Sequence, residues 1–355
     1  MAHLFYKILF ACSNILHLTD AFKVGIWNQI DRFPVHQDLR EAHDRIKTLS
    51  LRSRADNTVK TYNSNFKQFC AWCKQFDFCP LPTSDYHVAL YLSTLHDKLH
   101  SDAKINSIIY GISFAHKLAS LPDPCCSNLV KNVKDGLLKS VSKHHNKKEP
   151  FSGEDLELIV NRFGNSDSLI DLRFVTLALL SYSGFLRFNE AISLKRNQIT
   201  FKEAHAELSI VRSKTDQTAK GAKVIISRTK SKACPVLALQ KYLITAQIPE
   251  SSSEFIFRKV SFLRKSGTYK LRQGPHLSYS RAREILLQNL SALGLDKSKF
   301  GLHSFRSGGA TSASNRGVPD RLIKKHGRWK TDFAKDGYVR ENLEAKKSVS
   351  LNLGI

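Results

Sequence analysis

From Asn57 onward the apolar residues Val59, Tyr62, Phe66, Phe69, Cys73 and Phe76 recur at steps of three and four, which gathers them on one face of an amphipathic helix. Pro80 and Pro82 end that pattern, because proline donates no backbone N–H and clashes with the turn before it. The same period predicts helices over residues 85–99 and 104–118. A turn at Leu121-Pro122-Asp123-Pro124 follows, and residues 128–141 read as a fourth, basic helix. Four short helices packed by their apolar faces predict a compact helical domain over residues 49–141, after an N-terminal extension over residues 1–48. Its polar faces should carry Lys60, Lys67, Lys74, Lys104, Lys131, Lys134 and Lys139.

Residues 142–150 contain no apolar side chain and read as a linker. The pattern then changes. Ser152 and Asp155 have the spacing of a capping box, in which each side chain satisfies the other's backbone N–H at a helix start. Helical periods follow near residues 154–162, 168–181 and 188–194, and period-two stretches at 198–201, 206–211 and 223–227 predict short strands, with Gly221 in a turn. Residues 235–246 and 281–293 return to helix, and short helices punctuated by Gly308, Gly309, Gly317, Gly327 and Gly337 fill the remainder. The fold class this predicts is mainly α: an N-terminal helical domain, then a mostly helical domain over residues 151–355 holding a small antiparallel β-sheet.

Composition narrows the partner. The 355 residues are 42% apolar and 10% aromatic, enough for two domains with real cores. Against 31 Asp+Glu stand 55 Lys+Arg, a formal charge of +24 spread over both halves. That excess repels itself in the folded state, so it points to a polyanion outside the protein, and double-stranded DNA is the leading candidate. A merely soluble basic protein and a protein for anionic membrane surfaces are the blander readings. No stretch reaches the roughly 20 apolar residues of a membrane span. Leu4, Phe5, Ile8, Leu9 and Phe10 faintly resemble a secretory segment, but Lys7 interrupts them and no positively charged start precedes them. Seven cysteines, an odd number, argue against a disulfide scaffold. Cys70 and Cys73 lie on the apolar stripe of the first helix, as buried cysteines rather than zinc ligands, so no metal or cofactor is expected.

Several polar residues suggest chemistry. His303 and Arg306 stand three apart, which on a helix puts an imidazole and a guanidinium on one face, able to meet a single phosphate. Pro319 opens a further helix and Gly327 should stop it. Trp329 follows, and Tyr338 comes nine residues later. Upstream, Arg187 follows the turn Ser183-Gly184-Phe185, with Glu190 placed to hold either the helix end or the guanidinium. Lys214 sits where a strand ends in a turn. Singly, each has an ordinary explanation: a surface ion pair, a solubilising lysine, a packed tyrosine.

Their order is another matter. Arginine, hairpin lysine, HxxR, then tryptophan and a tyrosine nine residues on resembles the tyrosine recombinase (phage integrase-like) family over the whole second domain, and the helical domain resembles that family's core-binding domain. The resemblance implies catalytic roles for Arg187, Lys214, His303, Arg306, Trp329 and Tyr338, with Glu190 at the acidic position after the first arginine. It implies cleavage of DNA by the Tyr338 phenol through a 3′-phosphotyrosine intermediate, rejoining without a cofactor, and a homo-tetramer on DNA. His326 stands off register and reads as a helix-terminal residue. The segment His326-Gly327-Arg328-Trp329 and the short tail resemble recombinases of eukaryotic mobile elements, which would place the protein in a nucleus. A domesticated DNA-binding protein without strand exchange and a type IB topoisomerase-like enzyme are the alternatives.

Overall fold

The computed structural model describes residues 17–32, 35–96, 101–141, 147–211, 221–265 and 267–354. The chain divides into two compact units, Met1–His145 and Asn146–Ile355.

In the first unit, helices α1 (Trp27–Ile30), α2 (Arg40–Arg52), α3 (Asp56–Gln75), α4 (Asp85–Thr94), α5 (Asp102–Leu118) and α6 (Asn128–Val141) follow in order. The stripe predicted for α3 is buried through Phe66, Phe69, Cys70 and Cys73, and it packs against α5. Ser84 and Ser101 cap α4 and α5, their hydroxyls accepting from the N–H groups of His87 and Lys104. Part of the stretch read as an extension is core. Leu18, Ala21, Phe22 and Trp27 are buried, and the Trp27 indole donates to the Leu118 carbonyl at 2.6 Å. Nor does Lys104 stand free on a polar face: its ammonium donates to Asn65 at 2.5 Å and Gln68 at 3.1 Å. Cys70, Cys73, Cys125, Cys126 and Cys234 are free thiols, and Cys79 is disulfide-bonded. Burial pushes the Cys73 thiol up to about 12, so it is an apolar side chain and not a thiolate ligand.

The second unit opens on α7 (Gly153–Phe163), where the predicted capping box is formed: Ser152 N–H donates to Asp155 at 2.8 Å and Asp155 N–H to the Ser152 hydroxyl at 3.0 Å. Helix α8 (Leu169–Ser183) is apolar on nearly every side, the mark of a helix surrounded by protein. It packs against α7, α10 (Pro235–Thr245) and α12 (Ser304–Asn315). Between the short α9 (Phe188–Ile192) and α10 lies an antiparallel sheet, β1 (Ile199–Phe201), β2 (His205–Ile210) and β3 (Ala222–Ser227), in that order. Ala206, Leu208 and Ile210 of β2 point inward in the alternation expected of a half-buried strand.

A second antiparallel pair, β4 (Arg258–Leu263) with β5 (Thr268–His276), was not predicted. Its outer half leaves Phe262, Leu263 and Tyr269 exposed between basic residues, so no clean alternation marks it in the sequence. Helix α11 (Tyr279–Ala292) begins two residues before the predicted start, behind its Ser278 cap. Beyond α12 come α13 (Asp320–Gly327), α14 (Asp332–Asp336) and α15 (Leu343–Leu351). Among the described residues no helix is long and apolar enough to cross a membrane, and no group of three His, Cys, Asp or Glu could hold a metal.

Candidate active site

Two helix ends build the site. The first is the end of α8. Leu186 N–H donates to the Ser181 carbonyl at 3.0 Å and Phe185 N–H to Tyr182 at 3.4 Å, the bonding pattern of a Schellman turn. The turn requires a left-handed residue, and that residue is Phe185, at φ +44°, where glycine would cost nothing. It swings the chain so that Arg187 caps α9 and Glu190 lies in its first turn. One carboxylate oxygen of Glu190 accepts from the Arg187 backbone N–H at 2.9 Å and the other from the Arg187 guanidinium at 2.7 Å. Glu190 is only 4% exposed, so this is no surface pair.

Helix α12 carries the next group. His303 is its N-cap and Arg306 lies three residues on. Close approach is secured by glycine: a β-carbon on Gly308 would meet the Phe151 carbonyl oxygen at 2.2 Å, and one on Gly309 the Tyr182 oxygen at 2.0 Å. Arg306 is fully buried. Its guanidinium donates to the carbonyls of Phe185 and, at 2.7 Å, Gly327, and lies 3.8 Å from Glu190. Burial lowers its proton affinity from the ordinary arginine range and so does the Arg187 charge, while Glu190 acts in the opposite sense. For Glu190 burial alone would raise the carboxyl, but the Arg328 and Arg187 guanidiniums outweigh it and hold the group below its usual range.

The second helix end is that of α13. Gly327 was expected to stop this helix, and it is the last helical residue; the left-handed residue that follows it is Arg328, at φ +58°. Gly327 is required for another reason: a β-carbon there would lie 1.8 Å from the Trp329 ring. Trp329 N–H closes the turn on the Lys324 carbonyl at 3.1 Å. The His326 ring is bonded to the Ser183 carbonyl at 2.8 Å, so that nitrogen carries the proton, and the ring meets Phe185 edge-on at 4.6 Å. Burial pushes His326 down, towards the neutral form. It is helix-terminal, as the sequence reading had it.

Trp329 and Tyr338 complete the cluster. The Arg306 guanidinium carbon lies 4.5 Å from the Trp329 ring centre and 4.9 Å from that of Tyr338, and the two rings are 5.3 Å apart. Phe185, Ala310, Ile323 and Trp329 form a small apolar core of their own, against which Tyr338 and Val339 pack. Lys335 ties α14 to α13 through Asp320 at 2.5 Å and so sets where the Tyr338 segment begins.

Of the residues singled out in the sequence, Arg187, Glu190, Arg306, Trp329 and Tyr338 are thus brought together. His303 lies at the head of α12 but is exposed, whereas Arg306 points inward. Lys214 lies outside the described residues. Sequence reasoning missed Arg328, which donates to Glu190 at 2.7 Å and to the carbonyls of His326, Phe185 and Gly184 at 2.8, 3.0 and 3.3 Å. No local signal separates this arginine from its basic neighbours Lys324, Lys325 and Lys330.

A family model described as the phage integrase family matches residues 151–344, more than half of the chain. An "Integrase/recombinase xerD homolog" from Selenomonas ruminantium is 27% identical over 323 residues, covering 88% of this chain and 91% of that protein. Among solved structures, XerH recombinase bound to palindromic difH substrate in a post-cleavage complex aligns with a TM-score of 0.61 at 14% identity, covering 98% of this chain and 96% of that one. A Tn1549 transposon integrase in complex with circular intermediate DNA aligns at 0.52 and 12% identity, over 95% and 99% of the two chains.

Proposed function

Because the chain belongs to the phage integrase family, the tyrosine recombinases that break and rejoin DNA, we propose that it performs site-specific recombination with Tyr338 as its nucleophile. The observation that carries this reading is the meeting of Arg187, Glu190, Arg306, Trp329 and Tyr338 around one buried guanidinium, although residues 187–338 separate them along the chain. Two guanidiniums match the non-bridging oxygens of a phosphodiester, and preorganised cations at developing negative charge are usually the largest catalytic contribution. The phenol, with a pKa of about 10 when unperturbed, needs such cations to act as an oxyanion.

In the proposed step the Tyr338 oxygen forms a bond to phosphorus and gives up its proton to solvent, the bond from phosphorus to the 5′ oxygen breaks, and Lys214 protonates that oxygen. His303 assists at the phosphate, and Trp329 packs against the ring that attacks. Attack by a second 5′ hydroxyl on the 3′-phosphotyrosine reverses the chemistry without an external energy source. The DNA seen with the neighbouring recombinases supports duplex DNA as the partner. A homo-tetramer on two sites, an origin in a eukaryotic mobile element and a nuclear location complete the reading. The last two rest on the His326-Gly327-Arg328-Trp329 segment.

A nicked suicide duplex incubated with the protein should yield a covalent adduct that Tyr338→Phe abolishes; an adduct surviving that change defeats the assignment. Lys214→Ala should slow cleavage at least tenfold. A 5′-bridging sulfur, which leaves without a proton, should restore the rate.

A further inference from the structure

We propose that Arg328 is a positioning residue that locks the end of α13 onto the end of α8, and thereby holds Arg187 and Arg306 in register for the proposed cleavage. The inference rests on the recombinase reading for its catalytic part only. Its structural part stands on Arg328's own bonds.

Left-handed backbone is unfavourable for a side chain with a β-carbon, and it persists where surrounding structure over-determines it. Here two such residues face each other. Phe185 ends α8 at φ +44° and Arg328 ends α13 at φ +58°. Arg328 spans the gap, one nitrogen reaching the carbonyls of Gly184 and His326 and the other reaching the Phe185 carbonyl and Glu190. Both turns present helix C-terminal carbonyls, which carry partial negative charge and favour a cation between them.

The two groups that Arg328 grips are the ones that hold the other arginines. Glu190 accepts from Arg187 through its backbone and its guanidinium. The Phe185 carbonyl accepts from Arg306 as well as from Arg328. Arg328 therefore fixes Arg187 through the carboxylate and Arg306 through the carbonyl, while its own terminal nitrogens are committed to protein acceptors. A lysine, with one nitrogen, cannot reach both sets of acceptors. Glycine fits the backbone better but has nothing to reach with.

The test compares Arg328→Gly, Arg328→Lys, Glu190→Gln and the Gly/Gln double variant in the full-length protein. Duplex binding is measured by titration, and covalent adduct formation on the suicide duplex at saturating DNA. Arg328→Gly should bind DNA within twofold of the unmodified protein yet form adduct at least tenfold more slowly. Arg328→Lys should fall between, so the question stays answerable if the glycine variant does not fold. The double variant should be no slower than the slower single one, because both act through the same carboxylate. Unchanged adduct rates in Arg328→Gly or Arg328→Lys overturn the proposal. So does a defect confined to DNA affinity, or multiplication of the two single effects. In the DNA-free protein, loss of the Arg328 charge should let the Glu190 carboxyl return towards its ordinary value, so the stability gap between Arg328→Gly and the unmodified protein should be widest near neutral pH and narrow as the pH falls below about 4.5. That narrowing is read without any cleavage, so it survives if the unmodified protein forms no adduct and the recombinase reading itself fails; a gap that does not change with pH refutes the link between Arg328 and Glu190.

Discussion

A β-carbon at position 327 would lie 1.8 Å from the Trp329 ring, so Gly327→Ala must displace that ring and loosen the stack it forms with Arg306 and Tyr338. Overpacking of this kind costs about 1–3 kcal/mol, against the ~1 kcal/mol that alanine gains over glycine in an open helix. Urea unfolding should show a net loss for Gly327→Ala, accompanied by a change in tryptophan fluorescence. Glu190 gives a pH-dependent counterpart. Its folded carboxyl is held below the ordinary glutamate value of 4.5, so it contributes stability that is present above that value and lost as pH falls through the lower folded value. Glu190→Gln should therefore be less stable at neutral pH, by about 3 kcal/mol for a broken buried pair. The gap between variant and unmodified protein should narrow as the pH drops below about 4.5, which denaturant titrations at several pH values can follow. At this scale Glu190 was legible from a partner within one turn, Arg187, whereas Arg306, Trp329 and Tyr338 were legible only through their order along the chain. Arg328 was illegible because its partners Glu190 and Gly184 are 138 and 144 residues away.

Helices α8 and α12 touch because glycine lets them. In an exposed helix, replacing Gly309 by alanine would stabilise by about 1 kcal/mol. Here the added carbon meets the Tyr182 carbonyl oxygen at 2.0 Å and the Phe185 ring at 2.8 Å, so the sign reverses. Gly309→Ala should lower the thermal midpoint of the protein and reduce adduct formation, since the shift moves Arg306 away from the α8 turn. Ser152→Ala, which only removes a cap at the start of α7, should cost about 1 kcal/mol and leave cleavage unaffected. Elements with strong local signatures were legible: the α3 stripe, the Ser152 box and the alternation of β2. The β4–β5 hairpin was not, because its outer half is exposed and its pattern follows no buried face. The end of α13 at Gly327 was legible, but the left-handed turn at Arg328 was not, because tertiary bonds rather than a local preference hold that residue there.

At the scale of the molecule, the formal charge of +24 has consequences for binding strength. Each phosphate neutralised releases a condensed counterion, so affinity falls linearly on a logarithmic salt scale, with a slope near −0.9 per contact on duplex DNA. If about 6–10 phosphates are engaged, affinity for a duplex should drop by about 10³–10⁵ between 50 and 200 mM salt. Both compact units carry an excess of basic over acidic residues, and the larger part of it lies in Asn146–Ile355. That unit has its own core, running from Phe151 to Phe305, and so should fold as a separate fragment from residue 147. Fluorescence titrations of the fragment and the full chain at stepped salt should give a fragment slope that is shallower but still more than half of the full-chain value. The difference counts the phosphates held by the first unit, whose exposed Lys60, Lys67, Lys74, Lys131 and Lys139 are free to supply them. Equal slopes would mean that the first unit makes no phosphate contact, and its basic surface would then need another explanation than DNA.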